Sequence, residues 1–92
     1  MKEEITIDEL LSLKNPIIYD IRSYEKYYYG HIPQAKWINV SELLAYPEHF
    51  LVKNKKYYFY CDSGKRSSIL VKQLNVMGYS AVNVIGGYQN YL

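Results

Sequence analysis

The sequence predicts an α/β fold, a mostly parallel five-stranded sheet with helices on both faces. Three observations predict it. Short apolar runs alternate with stretches of helical periodicity along the whole chain. The run Pro16 to Asp20, PIIYD, is uninterruptedly apolar before its carboxylate, as a strand covered on both faces is. Helix starts and stops are marked by Thr, Ser, Gly and Pro at the edges of the periodic stretches.

Glu4 and Ile5 suit a short first strand. Thr6-Ile7-Asp8-Glu9 reads as a capping box, with the Thr6 oxygen accepting a free amide and Glu9 reaching back. Ile7, Leu10 and Leu11 share a face of that helix, and Asn15-Pro16 ends it. After the strand PIIYD, Ser23 caps a short helix with Tyr24, Tyr27 and Tyr28 on one side and Gly30 as its stop. His31-Ile32-Pro33 is a turn. Ala35 to Asn39 is a short strand, with Trp37 expected in the core. Ser41 is expected to cap a helix reaching Leu44 or Ala45, and Pro47 begins a further turn, PEHFLV. Tyr57 to Tyr60 is the fourth strand. A long helix follows from about Arg66 to Met77, with Leu70, Leu74 and Met77 as its apolar stripe and Ile69, Val71 and Val76 widening it. Gly78 stops it. Ala81 to Ile85 is the fifth strand, and Gly86-Gly87 turns the chain into a last helix, Tyr88 to Leu92.

Ninety-two residues suit one domain, residues 1–92. At 49% hydrophobic and 22% charged the chain has a globular composition. Its twelve tyrosines suit the half-buried margin of a core. A net charge of +2 is too small to point to nucleic acid or a membrane surface, and Lys53, Lys55 and Lys56 read as a solvated loop. No run approaches a membrane span, and MKEEITIDEL, with its early acids, is not a signal peptide. A lone cysteine makes no internal disulfide, so the expected compartment is the reducing cytoplasm.

That cysteine, Cys61, ends the fourth strand. In open parallel sheets the chemistry lies beyond the carboxyl ends of the strands. A thiol reacts as its thiolate, and the free amides of a following helix lower its pKa. Lys65 and Arg66 add positive charge, while Asp62 opposes it. Gly64 lets the loop turn its amides inward as an anion-binding nest, and Ser63, Ser67 and Ser68 bring hydroxyls. The plain alternative is a buried cysteine closing a strand. The polar, cationic loop favours reactivity.

The residues Cys61 to Ser67, CDSGKRS, resemble the active-site loop of rhodanese domains. Tyr19 to Ala35, YDIRSYEKYYYGHIPQA, resembles that family's D-x-R…E…GHI-x-GA segment at Asp20, Arg22, Glu25, Gly30, His31, Ile32 and Ala35. Met77 to Leu92 resembles its ending, with Tyr88 and Tyr91 where tryptophans are common. Gln34 stands where the family often has glycine. These departures read as packing positions.

The resemblance implies a single-domain sulfurtransferase that needs no metal or organic cofactor. Cys61 is then the nucleophile, taking sulfane sulfur from thiosulfate or a protein persulfide and passing it to cyanide or a thiol. The loop Asp62, Ser63, Gly64, Lys65, Arg66 and Ser67 cradles the persulfide, and Lys65 and Arg66 steer an anionic donor. Asp20 is expected near Cys61, as an organiser of the pocket or, preferably, paired with Arg22 or capping the Ser23 helix. Arg22 is expected to be structural, a partner of Glu25. His31 reads as a fold position and His49 as solvated. Two alternatives are a rhodanese-fold binding or regulatory module without catalysis, and a cysteine phosphatase or arsenate reductase. Regulatory modules commonly lack the cysteine that this chain keeps. Phosphatase loops are one residue longer than the four residues between Cys61 and Arg66, so this tighter loop suits sulfur more than a phosphoryl group.

Overall fold

The computed structural model describes residues 3–92. The strands are β1 (Glu4–Ile5), β2 (Ile17–Asp20), β3 (Lys36–Trp37), β4 (Lys56–Tyr60) and β5 (Ser80–Val84). They form one five-stranded sheet in the order β1-β5-β4-β2-β3, and every adjacent pair is parallel. The helices are α1 (Ile7–Ser12), α2 (Tyr24–Tyr29), α3 (Val40–Ala45), α4 (Lys65–Val76) and α5 (Gly87–Tyr91), with a 3-10 turn at Pro47–His49.

Alternation along the strands divides the apolar residues into two cores. Tyr57, Phe59 and Cys61 pack with Ala81, Leu43, Leu51 and the Leu70, Val71 and Leu74 of α4. Ile18, Tyr60 and Val84 pack on the other face with Ile7 and Leu10 of α1, and Tyr27, Tyr88 and Tyr91 close that core from α2 and α5. The sheet is therefore covered on both sides, as expected. The register sets Asp20 beside Tyr60 and also beside Trp37, so β2, β3 and β4 end together.

Several local expectations hold in detail. Both halves of the Thr6–Glu9 capping box form. Ser23 accepts from the Lys26 amide, and Gly30 ends α2. Other expectations are corrected. Asn39, rather than Ser41, caps α3, because its carboxamide reaches the Glu42 amide at 3.0 Å. The α4 stripe is narrower than expected: Leu70, Val71 and Leu74 are buried, whereas Ile69 and Val76 face solvent and Met77 is exposed too. A single helix on a small sheet has only a narrow line of contact. Tyr24 and Tyr28 are exposed, and only Tyr27 of that group turns inward, its hydroxyl donating to the Ala35 carbonyl. Trp37 is half-buried at the rim, where its ring N–H donates to the Arg22 carbonyl and its ring packs in a T-shape with that of Tyr24.

Candidate active site around Cys61

Cys61 follows β4 directly, and Asp62 to Gly64 carry the chain into α4. Its sulfur accepts from the Gly64 amide at 3.2 Å and the Ser67 amide at 3.4 Å, with the Ser67 hydroxyl also at 3.4 Å. The loop can turn its amides inward because its carbonyls are held outward. The Tyr88 and Gln89 amides, at the start of α5, donate to the carbonyls of Cys61 (2.9 Å) and Asp62 (3.0 Å). Two glycines permit this close fit. Gly64 has φ 92°, and a Cβ there would stand 3.0 Å from the Gly86 nitrogen. Gly87 has φ 60°, and a Cβ there would collide with the Cys61 carbonyl oxygen.

Cys61 is only 2% exposed. Burial pushes its thiol up, since a thiolate loses solvation. Hydrogen bonds from the Ser67 side chain and amide, and from the amides of Gly64 and Ser63, outweigh burial and hold the pKa below its ordinary value. The Ser67 hydroxyl and the loop's backbone amides thus both act on the sulfur. Ser68, expected to add a hydroxyl to the site, lines a cleft on the flank of α4 with Lys65, Asn83 and Glu4. Lys65 and Arg66 are exposed, and the Arg66 guanidinium turns toward the Ile21 carbonyl at 3.4 Å. Asp62 is paired with Lys26 at 2.9 Å, which offsets its charge beside the thiol.

Asp20 is fully buried, and its charge is met. Arg22 donates to it through Nε at 3.1 and 3.0 Å and through a terminal nitrogen at 2.7 Å, and the Arg22 amide adds a fourth bond at 2.8 Å. The Tyr60 hydroxyl donates to the same carboxylate at 2.7 Å and accepts from the Ile32 amide at 3.1 Å. Burial and the Asp20 carboxylate both push the Tyr60 hydroxyl's pKa up, so it stays protonated. The guanidinium lies over the Tyr88 ring, 3.9 Å from its centroid, and also donates to the Gly30 carbonyl. Removing either ion of such a buried pair typically costs about 3–5 kcal/mol. This is the structural pairing preferred for Asp20. Arg22 has Asp20 as its partner, not Glu25, because the planar fork of Arg22 faces the carboxylate two residues back. His31 stacks on Tyr27 with centroids 4.0 Å apart and its Nδ1 lies 2.8 Å from the Tyr27 carbonyl oxygen.

Three contributors escaped the sequence reading. Asn83 appeared only as part of a strand, yet its buried Oδ1 accepts from the Ser67 hydroxyl at 2.5 Å. A polar residue between two valines in AVNVI was its available signal. Tyr60 and Tyr88 read as packing tyrosines, whereas both complete the Asp20–Arg22 cluster. Among the described residues, no group of three or more His, Cys, Asp or Glu side chains is placed to hold a metal ion.

A sequence model of the rhodanese-like domain matches residues 6–92. The chain belongs to the rhodanese-like domain family. Within that family it is 40% identical over 89 residues to the Bacillus subtilis protein named "Putative sulfurtransferase YtwF", covering 95% of this chain and 79% of that one. It is 30% identical over 86 residues to "Adenylyltransferase and sulfurtransferase uba4" of Ogataea parapolymorpha, matching 92% of this chain but only 22% of that longer protein. The crystal structure of a rhodanese-like domain protein from Staphylococcus aureus superposes with a TM-score of 0.84 at 38% identity, covering 100% of this chain and 92% of that one. Among the described residues of this rhodanese-like chain, no helix is long and apolar enough to cross a membrane.

Proposed function

We propose that this rhodanese-like chain is a sulfurtransferase carrying sulfane sulfur as a persulfide on Cys61, with residues 1–92 working as one unit in the reducing cytoplasm. One observation supports this most. The amides of Gly64 and Ser67 and the Ser67 hydroxyl converge on a single sulfur at the carboxyl end of β4. Donors aimed at one sulfur stabilise the negative charge that a thiolate and a persulfide share.

The Cys61 thiolate attacks the outer sulfur of thiosulfate or of a protein persulfide. A Cys61–sulfur bond forms, the donor's sulfur–sulfur bond breaks, and sulfite or a thiolate leaves with the electron pair. The enzyme now holds Cys61–S–S⁻. A thiol or cyanide attacks that terminal sulfur, and Cys61 leaves as the thiolate, restoring the starting state. Two displacements through one covalent intermediate give ping-pong kinetics. Lys65 and Arg66, exposed at the start of α4, draw the anionic donor toward the loop. The 2% exposure of Cys61 favours a slim terminal sulfur over a bulky phosphate ester.

Thiosulfate and cyanide supplied together are expected to yield thiocyanate with parallel double-reciprocal lines, and Cys61→Ser is expected to abolish the product. Turnover of a phosphate ester without sulfur transfer would instead favour a phosphatase. No turnover of either kind, with the fold intact, would favour a binding module.

A further inference from the structure

The Ser67 hydroxyl stands between two claimants for one proton. On one side is Sγ of Cys61 at 3.4 Å, and on the other Oδ1 of Asn83 at 2.5 Å. Asn83 is 4% exposed and comes from β5, where the register sets it beside Phe59, two residues before Cys61. It therefore shares the sheet face that carries Cys61 and α4. A carboxamide oxygen only accepts, so the short bond commits the hydroxyl proton to Asn83. The Ser67 oxygen then presents lone pairs to the sulfur. That arrangement suits a neutral thiol, whose S–H can donate, whereas a thiolate draws on the same proton only in competition with Asn83. To serve the thiolate the proton must swing away from Asn83, leaving a buried carbonyl oxygen without its donor.

We propose that Asn83 is a positioning residue that governs the ionisation of Cys61 by competing with the sulfur for the Ser67 hydroxyl proton. The backbone amides lower the thiol's pKa, and Asn83 limits how far it falls. The limit has a chemical use. Thiolate nucleophilicity toward sulfur falls as pKa falls, so the fastest attacking thiol has a pKa near the ambient pH. The charged groups around the site are Asp62 with Lys26 of α2, Lys65 and Arg66 of α4, the Asp20–Arg22 pair at the end of β2, and Glu4 of β1, which lines a cleft with Asn83 and Lys65. All of them persist in an Asn83 variant, so a change in the thiol's titration isolates the Ser67 proton.

The inference rests on Cys61 being the reacting thiol, but its readout is ionisation alone. If the thiol shifts as expected while sulfur transfer is absent, the sulfurtransferase reading fails and this one stands. The measurement is thiolate absorbance near 240 nm against pH, referenced to Cys61→Ser to remove tyrosinate. Asn83→Leu, close in size and apolar, is expected to lower the Cys61 pKa by roughly half a unit to one unit. Asn83→Val, suited to a strand, serves as the second variant, and thermal melts confirm that each is folded. In a Ser67→Ala background the same substitutions are expected to leave the pKa where Ser67→Ala alone puts it. The pH-independent rate of sulfur loading should also fall, since a more acidic thiolate attacks more slowly. An unchanged or raised pKa in the folded Asn83 variants would overturn the proposal. So would a lowering that persists undiminished without the Ser67 hydroxyl.

Discussion

Gln34 has φ 72°, in the left-handed region that L side chains avoid. Its place in the turn before β3 is where the family often has glycine, and the reason is backbone geometry rather than the packing expected from sequence. Gln34→Gly is expected to raise unfolding stability by about 0.5–1 kcal/mol, the relief of left-handed strain less the added chain entropy of glycine. Urea unfolding of the two proteins checks it, and a loss of stability would mean that the Gln34 side chain holds the turn. At this scale the sequence was informative where a residue type has few uses. One cysteine followed by glycine and basic residues pointed to Cys61. Asn83 and Tyr60 were hidden, because what a strand residue's polar tip meets depends on the register of its neighbours. The pairing of Asp20 with Arg22 was already the preferred reading of Asp20; Glu25, the other partner considered for Arg22, loses to it because the strand end brings Asp20 into the arginine's fork.

The loop at Cys61 is a joint between three elements. β4 delivers the thiol, α4 supplies amides from Gly64 onward, and the first turn of α5 holds the loop's carbonyls away. Gly87 is the point of closest approach. Gly87→Ala would drive a methyl group into the Cys61 carbonyl and shift the amides aimed at the sulfur. Misplacing a reacting group by about 1 Å can cost on the order of 100-fold. Gly87→Ala is therefore expected to slow thiosulfate-to-cyanide transfer by roughly 10- to 100-fold in a protein that still folds. Steady-state rates together with circular dichroism check this, and unaltered rates would show that α5 does not position the loop. The element order was legible because caps and stops are local signals. The edges were less so. Asn39 displaced Ser41 as the cap of α3, and the solvent face of α4 keeps Ile69 and Val76, which a count of apolar residues assigns to the core.

Across the whole molecule, the thiol is coupled to folding. Cys61 titrates below its ordinary value in the folded state, because hydrogen bonds to the thiolate outweigh burial. Below the folded pKa both states hold a neutral thiol and the site adds no pH-dependent stability. As pH rises from the folded pKa toward the unfolded value of ~8.5, the unfolded chain holds the proton that the folded one has released, and stability grows. Above ~8.5 the gain is complete, about 1.4 kcal/mol for each unit between the two pKa values. Urea unfolding of wild type and Cys61→Ser across that range is expected to show the difference widening with pH, and a difference that narrows would reverse the sign of the shift. The parallel sheet was legible from alternating elements and buried runs. Its order, β1-β5-β4-β2-β3, brings Asn83 of β5, Cys61 just past β4 and Asp20 of β2 onto neighbouring positions of the sheet, a proximity that no local pattern encodes.

The most direct test of the account is the intact mass of the protein after thiosulfate treatment and again after cyanide. Cys61 is predicted to gain one sulfur and then lose it, with thiocyanate released in equal amount and no gain in Cys61→Ser. Sulfur transfer retained in full by Cys61→Ser, or a wild type that turns over thiosulfate without ever carrying the added sulfur, would contradict a persulfide on Cys61.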